Sequence, residues 1–196
     1  MGRMVPELKS GIASLTGWRP GDAGLLHRVL NLRGVMADQK RTEPISLEEC
    51  VERVSAYDAA WANDRIGRWA VRTSDTDTLV GYAGFTPAVL VNRPNDFEIG
   101  ARFDPAFQRC GLARQLQSLC QRFVFDVRGQ DRILTFHAIG LYGTNEDGTS
   151  KIPHLLSQYE YHGRLVTVTG EEVELYELSR QRYLELNGSA ELGRGQ

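Results

Sequence analysis

The clearest pattern along the chain is a strict alternation. Phe97, Ile99, Ala101 and Phe103 are apolar, and Glu98, Gly100 and Arg102 separate them. Successive side chains of a strand point to opposite faces, so these residues predict a half-buried strand that Pro105 ends. The period then changes. Leu112, Leu116, Leu119, Cys120, Phe123 and Val127 follow at helical spacing, which predicts an amphipathic helix from near Gly111 to a stop at Gly129. Upstream, residues 15–19 read as a short strand closed by Pro20 and Gly21, with Asp22 as the N-cap of a helix carrying Leu25, Leu26, Val29, Leu30 and Leu32. Ser46 and Glu49 form a capping box, the start signal of a second helix running to about Ala62. Residues 68–72 and 78–85 flank a polar turn as a hairpin. Further on, 132–140 predict an apolar strand, 152–161 a short helix with Pro153 in its first turn, and 165–169 with 173–178 a closing hairpin around Gly170. This order of elements predicts an α/β chain, a mixed sheet with helices on its faces.

Length and composition narrow the picture. A chain of 196 residues fits one domain, here residues 15–186, with a lead-in at 1–14 and a flexible polar tail at 187–196. Lys plus Arg is 23 and Asp plus Glu is 25, a net charge of −2, so bulk charge argues against a nucleic-acid partner or an anionic membrane surface. Cys50, Cys110 and Cys120 form no CxxC pair, and His27, His137, His154 and His162 form no HxxxH pair. Neither a disulfide scaffold nor a metal site is expected, and a reducing cytoplasm is. The first residues lack the apolar run of a signal peptide, and no stretch is long and apolar enough to span a membrane.

The chemistry concentrates between Phe97 and Arg114. A strand ends at Pro105 and a short connection feeds a helix start, where unpaired N–H groups and roughly half a positive charge make a ready anion site. A phosphate or pyrophosphate suits it best. Gly111 and Ala113 are small enough for close approach, and Arg109 and Arg114 bracket the site with positive charge. Cys110, just before the helix and beside Arg109, has the setting of an activated thiol, which makes a nucleophile or redox sensor a separate hypothesis.

The run Gln108-Arg109-Cys110-Gly111-Leu112-Ala113 matches the Q/R-x-x-G-x-G/A loop of the GNAT N-acetyltransferases, and Phe97 to Pro105 is similar to the strand before that loop in the ribosomal-protein N-terminal acetyltransferase branch. The resemblance covers residues 15–180. It implies a GNAT-like fold with a mostly antiparallel central sheet and helices on both faces. It also implies acetyl-CoA as acyl donor and direct attack by a primary amine, from a small molecule or a protein N-terminus. Phe103, Gln108, Arg109, Cys110, Gly111, Leu112, Ala113, Arg114 and Asn145 become the cofactor contacts, with backbone N–H groups of residues 99–101 on the thioester oxygen. An alkyl amine is only about one part in a thousand neutral at pH 7, so a general base is useful. The resemblance makes Glu98 that base, an ion pair with Arg102 or a solvated edge position being its structural alternatives. Tyr159 is a candidate acid, with Tyr142 and Tyr161 beside it, and a homodimer is the expected assembly. This chain departs from the family pattern where a Gly-Phe pair falls on Glu160-Tyr161 and where a helix tyrosine falls on Leu155 or Leu156. Those departures keep a non-catalytic acyl-CoA-binding or partner-binding domain as the alternative.

Overall fold

The computed structural model describes residues 5–38, 41–62, 66–141, 143, 151 and 156–192. The chain forms two compact units. The first takes Met1–Thr86 and Gly100–Cys120, the second Pro87–Ile99 and Gln121–Gln196.

The first unit holds β1 (Leu8–Lys9), β2 (Ala13–Thr16) and β3 (Arg68–Thr73), with parts of β4 (Leu79–Ala88) and β5 (Arg93–Phe103). Helices α1 (Asp22–Leu30), α2 (Arg33–Asp38) and α3 (Leu47–Ala62) follow β2, and most of α4 (Leu112–Arg122) belongs here as well. Strands β1 to β4 pair antiparallel in chain order. Leu8 pairs with Leu15 and Lys9 with Ser14, so part of the expected lead-in is a strand. Leu26 and Leu30 of α1, Cys50 of α3, and Ala70, Leu79 and Tyr82 of the sheet pack with Val35 and Ile45 into one apolar cluster.

The capping box at α3 forms as the sequence predicts: Glu49 N–H donates to Ser46 Oγ at 3.1 Å, and Ser46 N–H to Glu49 Oε2 at 2.9 Å. The start of α1 differs. Gly21 is the N-cap, at φ +90°, and Asp22 is the first helical residue. Its carboxylate instead accepts Arg72 Nη2 at 2.6 Å on both oxygens and the Arg19 N–H at 2.7 Å. A charged partner delivered by β3 wins over a backbone N–H for a carboxylate removed from water. Gly81 has a physical reason to be glycine: a Cβ there would lie 2.0 Å from the Arg102 carbonyl oxygen.

The second unit carries β6 (Arg132–Ala138), β7 (Glu160–Val166), β8 (Glu172–Ser179) and α5 (Arg180–Leu192), preceded by a π-turn at Phe123–Val127. β5 meets β6 in parallel at Glu98 beside Leu134, and β6–β8 and β8–β7 are antiparallel. Strand order is therefore β1-β2-β3-β4-β5-β6-β8-β7, a mostly antiparallel sheet of eight strands in a mixed α/β chain. Leu134, Val173 and Leu175 pack with Ala88 and Val91.

Three expectations end differently. Glu160 and Tyr161 open β7 rather than closing a helix. They gain a ladder with Glu177 and Tyr176, which local spacing does not reveal. Residues 152–155 of that expected helix lie outside the described residues. Residues 187–192 of the expected tail are helical, as the end of α5.

Candidate active site

β5 ends at Phe103. The Asp104 carboxylate accepts the Ala106 N–H at 2.8 Å and turns the chain into a 3-10 turn at Pro105–Phe107. The backbone is left-handed at Arg109 (φ +61°) and again at Gly111 (φ +85°). Glycine adopts that region freely, whereas for Arg109 it costs about 1–2 kcal/mol, the kind of strain that gathers at functional turns. Helix α4 then starts, with Gln115 N–H donating to the Gly111 carbonyl at 3.1 Å. Leu112 and Leu116 are buried and anchor the helix, while Gln108, Arg109, Cys110 and Arg114 are exposed. Phe103 and Ala113 are half-buried.

A Cβ placed on Gly111 would meet nothing within 4 Å, so the space over the helix start is open. The N–H groups of a first helical turn have no intrahelical partners, and a pair of flanking guanidiniums favours an anion there. The residues present fit a pyrophosphate. The Cys110 thiol donates to the Phe107 carbonyl at 2.9 Å, which ties it into the turn. A cavity of about 560 Å³ adjoins the turn, lined among others by Ile12, Thr73, Asp75, Val80, Phe107 and Cys110.

In the second unit, Glu98 is half-buried on β5 beside Leu134. Paired residues of parallel strands share a face, so Glu98 stands at the margin of the apolar cluster around Leu134 and Leu175. Tyr159 is buried, and its hydroxyl accepts Gln121 Nε2 at 3.2 Å. Tyr161 is exposed on β7, its ring 5.3 Å from that of Tyr176. Asn145 and Tyr142 lie outside the described residues.

Sequence reasoning missed a cluster in the first unit. Arg68 Cζ lies 4.7 Å from the Tyr82 ring centroid and 5.4 Å from that of Tyr57. Its Nη1 donates to Tyr57 Oη and its Nη2 to Thr86 Oγ1, each at 3.3 Å. No spacing rule joins residues from α3, β3 and β4, so no local signal could have found it. Among the described residues, no group of His, Cys, Asp and Glu could hold a metal ion. Burial pushes the Cys120 thiol up to about 12 and raises that of Cys50, so neither suits nucleophilic work.

The model of the acetyltransferase (GNAT) domain family matches residues 14–140. No curated protein matches the chain. Solved structures do. A GNAT-family acetyltransferase from Bordetella pertussis is 17% identical with a TM-score of 0.68, covering 89% of this chain and 100% of its own. An acetyltransferase from Agrobacterium tumefaciens is 12% identical with a TM-score of 0.67, covering 90% and 96%. The ribosomal-protein-S5-alanine acetyltransferase from Vibrio fischeri is 14% identical with a TM-score of 0.66, covering 90% and 97%. At such identities these likenesses show the fold, and it is the match to the family model over residues 14–140, the turn at Arg109–Gly111 included, that shows the chain to belong to the GNAT acetyltransferases.

Proposed function

We propose that the protein transfers an acetyl group from acetyl-CoA to a primary amine by direct attack, with residues 108–114 holding the donor's pyrophosphate. The observation that carries this reading is the open left-handed turn at Gly111 leading into α4. In it, Gly111, Leu112, Ala113 and Arg114 offer backbone N–H groups, and the Arg109 and Arg114 side chains add charge. Gln108, Cys110, Phe103 and Asn145 complete the donor contacts by the family pattern. Glu98 takes one proton of the acceptor ammonium, which frees the nitrogen lone pair; the C–N bond forms as the C–S bond breaks, and the nitrogen releases its second proton to solvent to leave the amide. The thiolate leaves without much help, a thiol being acidic near 8.5. Tyr159 is the proton source for it, its hydroxyl oriented by Gln121. The reading also carries a homodimer, which sedimentation would check, and a cytoplasmic location.

Thermal unfolding with acetyl-CoA, CoA and ADP tests the donor. Ligand at about 100 times Kd adds roughly 2.7 kcal/mol, a rise of several degrees in Tm for a chain of this size. Gly111→Glu puts bulk and negative charge over the helix start and should abolish the shift. No shift with the wild-type protein at millimolar acetyl-CoA overturns the reading. A shift without thiol release on any amine leaves a binding domain. A peptide N-terminus belongs in the acceptor panel, since one structural neighbour bears the name of a ribosomal-protein-S5-alanine acetyltransferase. Glu98→Gln should slow transfer about 100-fold or more at neutral pH, with partial recovery at high pH where the amine is already neutral. A pH profile of unchanged shape removes Glu98 as the base.

A further inference from the structure

We infer that the cavity beside the turn at Arg109–Gly111 takes a small apolar amine, which acts there as an effector of donor binding; the effector role rests on the acetyl-transfer reading above. The cavity measures about 560 Å³, and its lining residues all belong to the first unit. Small-molecule sites have this size, apolar within and carrying a few polar groups. Ala13, Val80 and Leu112 are buried and make the floor. Ile12 and Phe107 are partly exposed and make the sides, while Ser74, Asp75 and Cys110 are exposed at the mouth. An occupant therefore points its apolar end inward and its polar end out.

The walls are set before any ligand arrives. Ser74 N–H donates to the Ile12 carbonyl at 3.1 Å, and the Ser10 hydroxyl to the Ala13 carbonyl at 2.9 Å. On the side of the turn, Phe107 N–H donates to the Asp104 carbonyl and the Cys110 thiol to the Phe107 carbonyl, each at 2.9 Å. A preformed pocket costs little ordering entropy on binding.

Charge at the mouth selects the head group. Asp75 Oδ1 accepts the Thr76 N–H at 2.8 Å and the Thr76 hydroxyl at 3.4 Å. Those bonds, the N–H first, hold the Asp75 carboxyl below its ordinary 3.8, so it is ionised at neutral pH. The neighbouring Asp77 is taken up by Arg19, whereas Asp75 meets no cation at ion-pair distance among the described residues. No Lys or Arg is among the described residues that line the cavity, so nothing in its wall repels an ammonium. A carboxylate at the mouth of an apolar cavity is matched by an ammonium on an apolar body.

Phe107, Cys110 and Leu112 belong both to this wall and to the turn and helix start that hold the donor's pyrophosphate in that reading. An occupant touches all three only while the turn keeps its left-handed shape, so amine and donor favour the same conformation. Coupling of this kind is reciprocal.

Cys110 supplies the readout. It is exposed, whereas Cys50 and Cys120 are buried, so iodoacetamide labelling followed by mass spectrometry reports on the mouth. The probes are 2-phenylethylamine, its neutral counterpart 2-phenylethanol, and methylamine, which has the charge without the body. At about ten times its Kd, 2-phenylethylamine should slow Cys110 labelling about tenfold, because only the unoccupied fraction reacts. The alcohol should bind about fivefold more weakly, and methylamine should not protect. Asp75→Asn keeps an oxygen for the Thr76 N–H and removes the charge, which should bring the amine down to the level of the alcohol. Raised salt should narrow the same gap in the wild type, a reading that needs no variant. CoA, which binds without turnover, should bind about fivefold or more tightly with the amine present. Equal protection by amine and alcohol overturns the inference, as does amine protection that Asp75→Asn leaves undiminished, or no protection by either. A CoA Kd that the amine leaves unchanged overturns the effector role. Failure of both CoA and acetyl-CoA to bind the wild type removes the acetyl-transfer reading instead, and Cys110 labelling still decides the cavity.

Discussion

Arg72 is 4% exposed, with Nη2 at 2.6 Å from both oxygens of Asp22, Nε on the Thr16 hydroxyl at 3.2 Å and Nη1 on the Asp77 carbonyl at 3.4 Å. Arg68, four residues earlier on the same strand and face, is half-buried between two tyrosine rings with hydroxyl contacts at 3.3 Å. The first guanidinium is consumed by the fold: its charge is matched by Asp22, and the pair ties the start of α1 to β3. The second is held by the faces of two tyrosine rings and by two hydroxyls. Two arginines of one strand thereby meet different neighbours, one a buried carboxylate and the other a pair of tyrosine rings.

The largest break of this contrast is Asp22→Ala, which strands the Arg72 charge in the interior. Stability should fall by about 3–5 kcal/mol. Calorimetry would read that as a drop in Tm on the order of 10 °C. The double substitution Asp22→Leu with Arg72→Met should return most of the loss, because two apolar side chains need no partner. A double variant as unstable as the single one would show that packing, not the stranded charge, is at stake. Arg68→Ala comes next, with an expected cost of about 1–2 kcal/mol from the ring and hydroxyl contacts, measured by urea unfolding. A loss as large as that of Asp22→Ala would erase the distinction between the two arginines. The smallest effect belongs to Asp77, whose exposed carboxylate pairs with Arg19. The Arg19 hydrogen bond holds the Asp77 carboxyl below its ordinary 3.8. A depressed carboxylate contributes stability above its ordinary range and loses it as pH falls through the lowered value. The Tm difference between wild type and Asp77→Asn should therefore be present at pH 5, fade below pH 3.8, and shrink with salt.

Sequence order made local features legible. The alternation at Phe97–Phe103, the capping box of Ser46 and Glu49, and the glycine at the start of α4 each follow from residues a few positions apart. The turn before α4 belongs to this class, because a left-handed glycine makes it. What stayed hidden involves long separations. Asp22 reads as a cap until Arg72 arrives from fifty positions away, and Leu8 reads as lead-in until β2 pairs with it. The end of α5 reads as tail because its polar composition has no apolar stripe to betray a helix.

By itself the sequence determined most of the elements, the left-handed turn before α4 and, through its resemblance, the family, because backbone geometry depends on near neighbours. Only the tertiary structure decided which side chains stand opposite each charge. Arg68 and Arg72 are the same residue type on one strand, and neither carries in its flanking sequence whether a carboxylate or a pair of tyrosine rings will stand opposite. That choice is made by α1 and α3, brought to the sheet by burial of Leu26, Leu30 and Cys50, and burial has no memory of sequence distance.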